Sequence, residues 1–275
     1  MQGISHTGKR RVFITGGGAG LGRELARQLA DEGALVLIGD VDVAAAEDTA
    51  AQIGAYAIKC DVRSEEDFHA AAKWLRDTWG GVDLLINNAG VAQMGPLVKT
   101  PISDWQWIMD INVFGIVRGC QALSPIMEPG ARVLNIASMA AMLYLPNSAA
   151  YNAAKSAVLA ISETLMLEWE PKGISIHVAC PAFFRTDLAR NMRSTDPETE
   201  RVTKRLVERS RLGADQIATA ILAGLAADKP LILTHDTARR SWLQKRYLPF
   251  GIYMNMMRRQ LKKMNERMAR PSKST

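Results

Sequence analysis

The chain of 275 residues is poor in cysteine, and its three, Cys60, Cys120 and Cys180, are widely scattered. They are too few and too dispersed for a disulfide framework or a zinc site, so no metal is expected and a reducing, cytoplasmic setting is. An apolar segment long enough to cross a membrane is also missing. The longest charge-free stretch, Val133 to Ala154, carries Asn135, Ser138, Pro146, Asn147 and Asn152. It reads as a buried strand, a loop and a helix start. Residues Met1 to Arg11 are polar and basic and lack the apolar core of a secretory signal, so none is expected. The chain shows no internal repeat and no low-complexity tract.

Acids are scarce in one place only. From His235 to Thr275 there are 11 Lys or Arg against 2 acids, whereas residues 1–234 carry 23 bases and 26 acids. The overall charge of +6 therefore describes a tail, not the body. A basic tail on a mildly acidic body suggests an anionic partner for the tail alone. No nucleic-acid reading motif accompanies it, so no nucleic acid is expected. Hydrophobic residues make up 48% and charged residues 23%, which excludes a disordered chain and allows a sizeable core.

Short apolar runs rich in Val, Ile and Leu occur at 11–15, 34–39, 55–59, 82–86, 131–137, 174–180 and 230–234. Near-continuous runs of this kind are strands covered on both faces. Helical stretches lie between them, including 21–32, 64–79, 103–127, 150–170 and 214–227. The alternation predicts an α/β fold: a doubly wound, parallel, seven-stranded sheet with helices on both faces. Two segments break the rhythm. Residues 186–212 are strongly charged and long enough to form a surface helix or lid. Residues 235–275 form the basic extension. The expected division is 1–234 and 235–275.

The first run leads into Thr15-Gly16-Gly17-Gly18-Ala19-Gly20-Leu21-Gly22, with a helix directly after. Glycines let backbone N–H groups approach a pyrophosphate, and a helix N-terminus favours its charge. Alone, such a turn is also the mark of a tight bend; the flanking strand and helix favour a dinucleotide. The second run ends at Asp40, at the roughly 20-residue distance where a carboxylate takes the adenosine ribose and repels a 2′-phosphate. No Lys or Arg lies in the turn before Gly22 or immediately after Asp40, and Arg23 is the nearest base. NAD is therefore expected over NADP. Asp40 as a cap for the next helix is the plainer reading, and the two are compatible.

Tyr151 and Lys155 stand at i and i+4, on one helical face. A phenol with a pKa of about 10 is a poor base at neutral pH, and an ammonium one turn away stabilises its phenolate. The bare spacing is common on surface helices. Ser138 changes the weighing: it ends the fifth apolar run, at the strand edge where ligands bind, and its hydroxyl can polarise a carbonyl.

With these residues in place the chain resembles the short-chain dehydrogenase/reductase family, in its single-domain Rossmann-like branch, over residues 9–234. The likeness rests on Thr-Gly-x-x-x-Gly-x-Gly at 15–22, Asp61-Val62, Asn87-Asn88-Ala89-Gly90 and Asn112. It continues with Ser138, Tyr151-x-x-x-Lys155 thirteen residues later, and Pro181 through Thr186. The resemblance implies an oxidoreductase with Tyr151 as general acid/base, Lys155 lowering its pKa and holding the nicotinamide ribose, and Ser138 orienting the substrate oxygen. Asn112 would position a water that relays protons. Gly16, Gly18, Gly20, Leu21 and Gly22 would take the pyrophosphate, and Asp40 the ribose. Asp61 and Val62 would flank the adenine. Asn88, Ala89 and Gly90 would form the cofactor floor, and Pro181, Phe184 and Thr186 would border the nicotinamide. Where the family has Pro-Gly, this chain has Pro181-Ala182; a small local shift is expected, with the cofactor retained.

Candidate pocket residues are Gln93, Met94, Met139, Ala140, Met142, Phe183, Phe184, Leu188 and Met192. Nearly all are apolar, which favours a lipophilic alcohol or ketone, although Met and Phe at a sheet edge equally serve packing. Only Arg185 and Arg190 offer a charged anchor. Helices 103–127 and 150–170 carry apolar faces, so a homodimer or homotetramer is expected. In the tail, Met254, Met257, Leu261, Met264 and Met268 form a helical stripe beside basic faces, below Trp242, Tyr247, Phe250 and Tyr253. Such a segment, 242–270, reads as a peripheral membrane contact, against packing on a subunit or on its own chain, or a disordered appendage. Two rivals to the NAD-dependent reading stand: an NADP-dependent carbonyl reductase, and a dinucleotide-binding sensor or scaffold without turnover.

Overall fold

The computed structural model describes residues 8–186 and 192–269. Leu188 and Arg190 lie outside the described residues, as do the side chains of Met264 and Met268. The chain divides into two compact units, 1–234 and 235–275.

In the first unit the strands are β1 (Arg11–Thr15), β2 (Leu35–Asp40), β3 (Tyr56–Lys59), β4 (Leu84–Asn87), β6 (Arg132–Ile136), β7 (Ser175–Ala179) and β9 (Leu231–Ile232). They form one parallel sheet in the order β3-β2-β1-β4-β6-β7-β9, as the alternating pattern predicts. Val12, Phe13 and Ile14 of β1 and Leu84, Leu85 and Ile86 of β4 are fully or almost fully buried. Such strands need cover on both faces. On one face α1 (Gly20–Asp31) and α8 (Ala214–Ala226) supply it, through Leu25, Leu29, Ile217 and Ile221. Helices α2 (Val43–Ile53) and α3 (Glu65–Trp79) cross between strands. They start on side-chain caps from Asp42 and Ser64 and stop at left-handed Gly54 and Gly80.

Two parts of the domain depart from the sequence pattern. The helical stretch 103–127 is not one regular helix: α4 (Ile102–Met109) passes into a π turn at Asp110–Phe114 and then α5 (Gly115–Leu123). Asn112 lies inside that turn. The segment 186–212 contains helix α7 (Pro197–Glu208), and also a short strand, β8 (Arg193–Ser194), that pairs in parallel with β5 (Gln93–Met94). Two-residue strands leave no alternation to read.

The sheet interior holds a polar chain. Asn87 Nδ2 donates to Asn135 Oδ1 at 2.9 Å, and Asn135 Nδ2 donates to Ser162 Oγ at 3.0 Å, on α6 (Ala149–Trp169). All three residues are buried, so each bond stands in for lost water. Truncating Asn135 orphans a donor and an acceptor at about 1–3 kcal/mol each. Asn135→Ala is expected to lower the unfolding free energy by that amount, seen as a lower urea midpoint with an unchanged slope. A midpoint equal to that of the wild type counts against the role.

The second unit is two helices, α9 (Asp236–Tyr247) and α10 (Phe250–Ala269). Pro249 separates them: it has no N–H to donate and drives Leu248 into an extended conformation.

Candidate active site

The strand order reverses between β1 and β4, and there the chain leaves a crevice at the carboxyl ends. Two turns meet across it. Asn88 Nδ2 donates to the carbonyls of Thr15 and Gly16, at 3.0 and 2.9 Å. Thr15 Oγ1 accepts the N–H groups of Asn88 and Ala89, each at 3.1 Å. The glycine turn and the Asn-Asn-Ala-Gly turn are thus one hydrogen-bonded body.

The glycines are required by the closeness of this approach. Gly16 and Gly20 hold φ of +65° and +53°. A Cβ at Gly16 would stand 2.8 Å from Ala89 Cα, and one at Gly22 2.1 Å from the Gly16 carbonyl oxygen. Leu21 is buried in the core beside them. Helix α1 begins directly after Ala19 with no side-chain cap and no acid in its first turn, so no side chain compensates its N-terminal N–H groups. Bare backbone of this shape and polarity fits a dinucleotide pyrophosphate.

Asp40 Oδ2 accepts the Gly18 N–H at 2.9 Å, and Oδ1 accepts the Asp42 N–H at 3.0 Å. Asp42, not Asp40, caps α2, which corrects the plainer reading of Asp40. Arg23 is engaged by nearby acceptors: Nε and Nη2 donate to the Gly18 carbonyl at 3.2 and 2.7 Å, and Nε also reaches Thr49 Oγ1. The Asp61 carboxylate holds Arg63, whose Nη2 lies 2.6 Å from Oδ2, and this ion pair lowers the Asp61 pKa. Val62 is buried against Gly115 of α5.

At the other end of the crevice Ser138, Tyr151 and Lys155 come together. Ser138 follows β6 and caps a short 3₁₀ turn, Met139–Ala141. Its hydroxyl hydrogen-bonds to the Tyr151 phenol and lies 3.5 Å from the Pro181 carbonyl. Tyr151 and Lys155 are only 8% and 5% exposed. Burial pushes the Tyr151 pKa up, and the Ser138 bond opposes it. Burial pulls Lys155 down to about 8. Lys155 Nζ donates to the Ile136 carbonyl at 2.9 Å. Among the interactions acting on the phenol, burial and Ser138 lead, in place of the expected ammonium.

Asn112 is fully buried. Its amide is used twice on one residue: Oδ1 accepts the Val91 N–H, and Nδ2 donates to the Val91 carbonyl, both at 2.8 Å. Gly90 sits between Asn112 and Lys155, where a Cβ would meet Asn112 Oδ1 at 3.0 Å and Lys155 Nζ at 3.5 Å. Sequence reasoning missed Cys180, whose thiol is pushed up to about 12 by burial and which senses both Tyr151 and Lys155. It missed the Ile136 carbonyl as well, because a backbone acceptor leaves no mark on side-chain identity. Ala182 has no positive φ, so the missing family glycine is not demanded by the backbone.

Met94, with Ala92, Ile108, Val113, Ala150 and Ala154, packs around Tyr151 in one apolar cluster, and Met192 joins it. Met139 and Met142 are buried, whereas Phe183 is 37% exposed. Phe184 packs against the sheet core. Gln93 is fully buried, its Nε2 donating to Met94 O and Thr100 Oγ1. Arg185 does not offer a free charged anchor: its Nη1 donates to the Ser210 and Arg211 carbonyls, at 2.5 and 2.8 Å. Thr186, half-buried, ends the described stretch before the lid. Arg193 lies 4.0 Å over the Trp107 ring and pairs with Asp104 at 2.9 Å. Among the described residues no group of three His, Cys, Asp or Glu is placed to hold a metal.

The profile of the short chain dehydrogenases matches residues 10–197. Over 241 residues, 82% of this chain, the sequence is 32% identical to a probable oxidoreductase, EphD, of Mycobacterium tuberculosis. The matched part covers only 40% of that protein. The 3beta-hydroxysteroid dehydrogenase 1 of Eggerthella lenta is 30% identical over 238 residues, 83% of this chain and 90% of that one. Among solved structures, a short chain dehydrogenase/reductase from Burkholderia phymatum in complex with NAD superposes with a TM-score of 0.81. It shares 30% identity, over 90% of this chain and 95% of that one.

Two outcomes are expected. Gly22→Ala forces a methyl onto the Gly16 carbonyl and Asn88 Nδ2 and should weaken NAD binding roughly tenfold or more, about 1.4 kcal/mol. Fluorescence titration against unchanged far-UV circular dichroism checks it. The second concerns stability. The folded pKa of Lys155, about 8, lies below its ordinary 10.5, so the unfolded chain binds more protons between these values. Burying the ammonium costs stability at neutral pH, and that cost is relieved as pH rises from about 8 toward 10.5. Relative to Lys155→Met, the wild type should gain unfolding free energy across this window. A flat difference refutes the shift.

Proposed function

The chain belongs to the short-chain dehydrogenase/reductase family, and we propose that it is an NAD-dependent oxidoreductase acting on a lipophilic secondary alcohol or ketone. The observation that carries this reading is the placing of Ser138 beside the buried Tyr151, with the buried Lys155 one turn along the same helix, at the carboxyl ends of the strands. When bound, the dinucleotide supplies or accepts the hydride. Tyr151 gives a proton to the carbonyl oxygen or takes one from the alcohol. Ser138, bonded to the phenol, holds the substrate oxygen at the same point. Lys155 meets the nicotinamide ribose and passes the proton on. The Asn112 side chain is spent on Val91, so its part in the relay falls to its main chain within the π turn.

For the cofactor, Gly16, Gly18, Gly20, Leu21 and Gly22 would hold the pyrophosphate. Asp40 would take the ribose, Asp61 and Val62 the adenine, and Asn88, Ala89 and Gly90 the floor. Pro181, Phe184 and Thr186 would border the nicotinamide. The Asp40 carboxylate beside Gly18, with Arg23 committed to the Gly18 carbonyl and Thr49, favours NAD over NADP. The apolar cluster around Tyr151 favours a lipophilic substrate, and the steroid dehydrogenase among the relatives is consistent with one. Residues 1–234 then form the catalytic domain, with 186–212 as its lid and 235–275 as an extension. Ile102, Phe114 and Leu167, exposed on or between α4, α5 and α6, support pairing into a homodimer or homotetramer. The three free, buried cysteines suit a cytoplasmic enzyme.

A turnover screen with NAD and NADP over alcohols and ketones of graded size tests the reading. Rates should be higher with NAD and rise with apolar size. Better turnover with NADP would return the protein to the carbonyl reductase reading. Tyr151→Phe should lose roughly 100-fold or more in turnover while still binding NAD. Unchanged output from that variant would make the protein a sensor.

A further inference from the structure

The basic extension was expected to carry a methionine stripe below the aromatics of the 242–270 segment, and three of the five stripe side chains are described. Met254, Met257 and Leu261 are half-buried. The large exposed side chains gather instead at the bend that Pro249 imposes between α9 and α10: Tyr247 at 75%, Phe250 at 76% and Ile252 at 57% exposed. Three such side chains within six residues are costly to leave in water. Cations stand on both sides of the bend. Arg239, Arg240 and Arg246 on α9, and Arg258, Arg259 and Lys262 on α10, are exposed. From residue 237 to residue 265 there are eight bases and no acid. Among the described residues, no helix is long and apolar enough to cross a membrane.

An apolar tip between two cationic flanks matches a surface that is negative outside and hydrocarbon beneath. We propose that the α9–α10 bend docks the protein on an anionic lipid bilayer, with Tyr247, Phe250 and Ile252 entering the interface and the flanking arginines and lysines meeting lipid headgroups. An acidic protein groove would satisfy the cations, but three unpaired apolar side chains at a convex tip suit a deformable, hydrocarbon-backed surface. This docking does not depend on the chemistry proposed for the first unit.

The test is co-sedimentation of the full chain with vesicles of phosphatidylcholine alone and of phosphatidylcholine mixed with phosphatidylglycerol. Binding is expected to the mixed vesicles only, and to fall at high salt. The triple variant Tyr247→Ser, Phe250→Ser, Ile252→Ser should bind roughly tenfold or more weakly, with unchanged helical content and unchanged oligomer mass. Phe250→Ser alone should show a smaller loss in the same direction, which guards against misfolding of the triple variant. No binding to the mixed vesicles, or binding that the tip variants leave untouched, overturns the proposal. So does a drop in oligomer mass on serine substitution, which would make the bend a contact between copies.

Discussion

The first unit depends on the hydrogen bonds that tie β1 to β4 across the reversal in strand order. Asn88 spends its amide on two consecutive carbonyls, those of Thr15 and Gly16, and Thr15 returns its hydroxyl as acceptor to two consecutive N–H groups. These bonds bring two turns so close that Gly16 and Gly22 have no room for a Cβ. Backbone is thereby left as the lining of the crevice. The same closeness sets where α1 begins, and so where its N-terminal N–H groups point.

The catalytic end is governed by burial. Tyr151 and Lys155 stand one turn apart on α6, inside an apolar cluster, and water reaches neither readily. Burial raises the phenol and lowers the ammonium to about 8, so their pKa values move apart. The remaining polar contacts keep each group in place: Ser138 for Tyr151, and the Ile136 carbonyl for Lys155. Cys180, held as a neutral thiol, adds bulk beside the pair without adding charge.

The segment from Arg193 to Glu208 is joined to the rest of the domain partly through backbone. Arg193 N–H donates to the Ala92 carbonyl and Thr195 N–H to that of Met94, both at 3.1 Å, and Asn147 Nδ2 reaches Thr199 Oγ1 on α7 at 3.1 Å. Arg193 joins these bonds to the Trp107 face and Asp104. Ala92, Met94, Asp104, Trp107 and Asn147 all lie far from this segment in sequence, which is why 186–212 could be read only as a charged segment with some helix.

The sequence by itself determined the seven strands, their parallel order of burial, the glycine turn, Asp40, and the trio Ser138, Tyr151 and Lys155. Each of these is written in local composition: runs of Val, Ile and Leu, missing side chains, or a fixed spacing on one helix. Tertiary structure decided what depends on partners distant along the chain. It gave the cap of α2 to Asp42, committed the Asn112 amide to Val91, and bent the helix around Asn112 into a π turn. It tied Arg185 to the base of the lid and turned Arg23 onto Gly18. In the extension it left Tyr247, Phe250 and Ile252 exposed about the bend at Pro249, and Met254, Met257 and Leu261 half-buried. Side-chain type states what a residue can bond; which partner it bonds is fixed only when the fold brings candidates within about 3 Å.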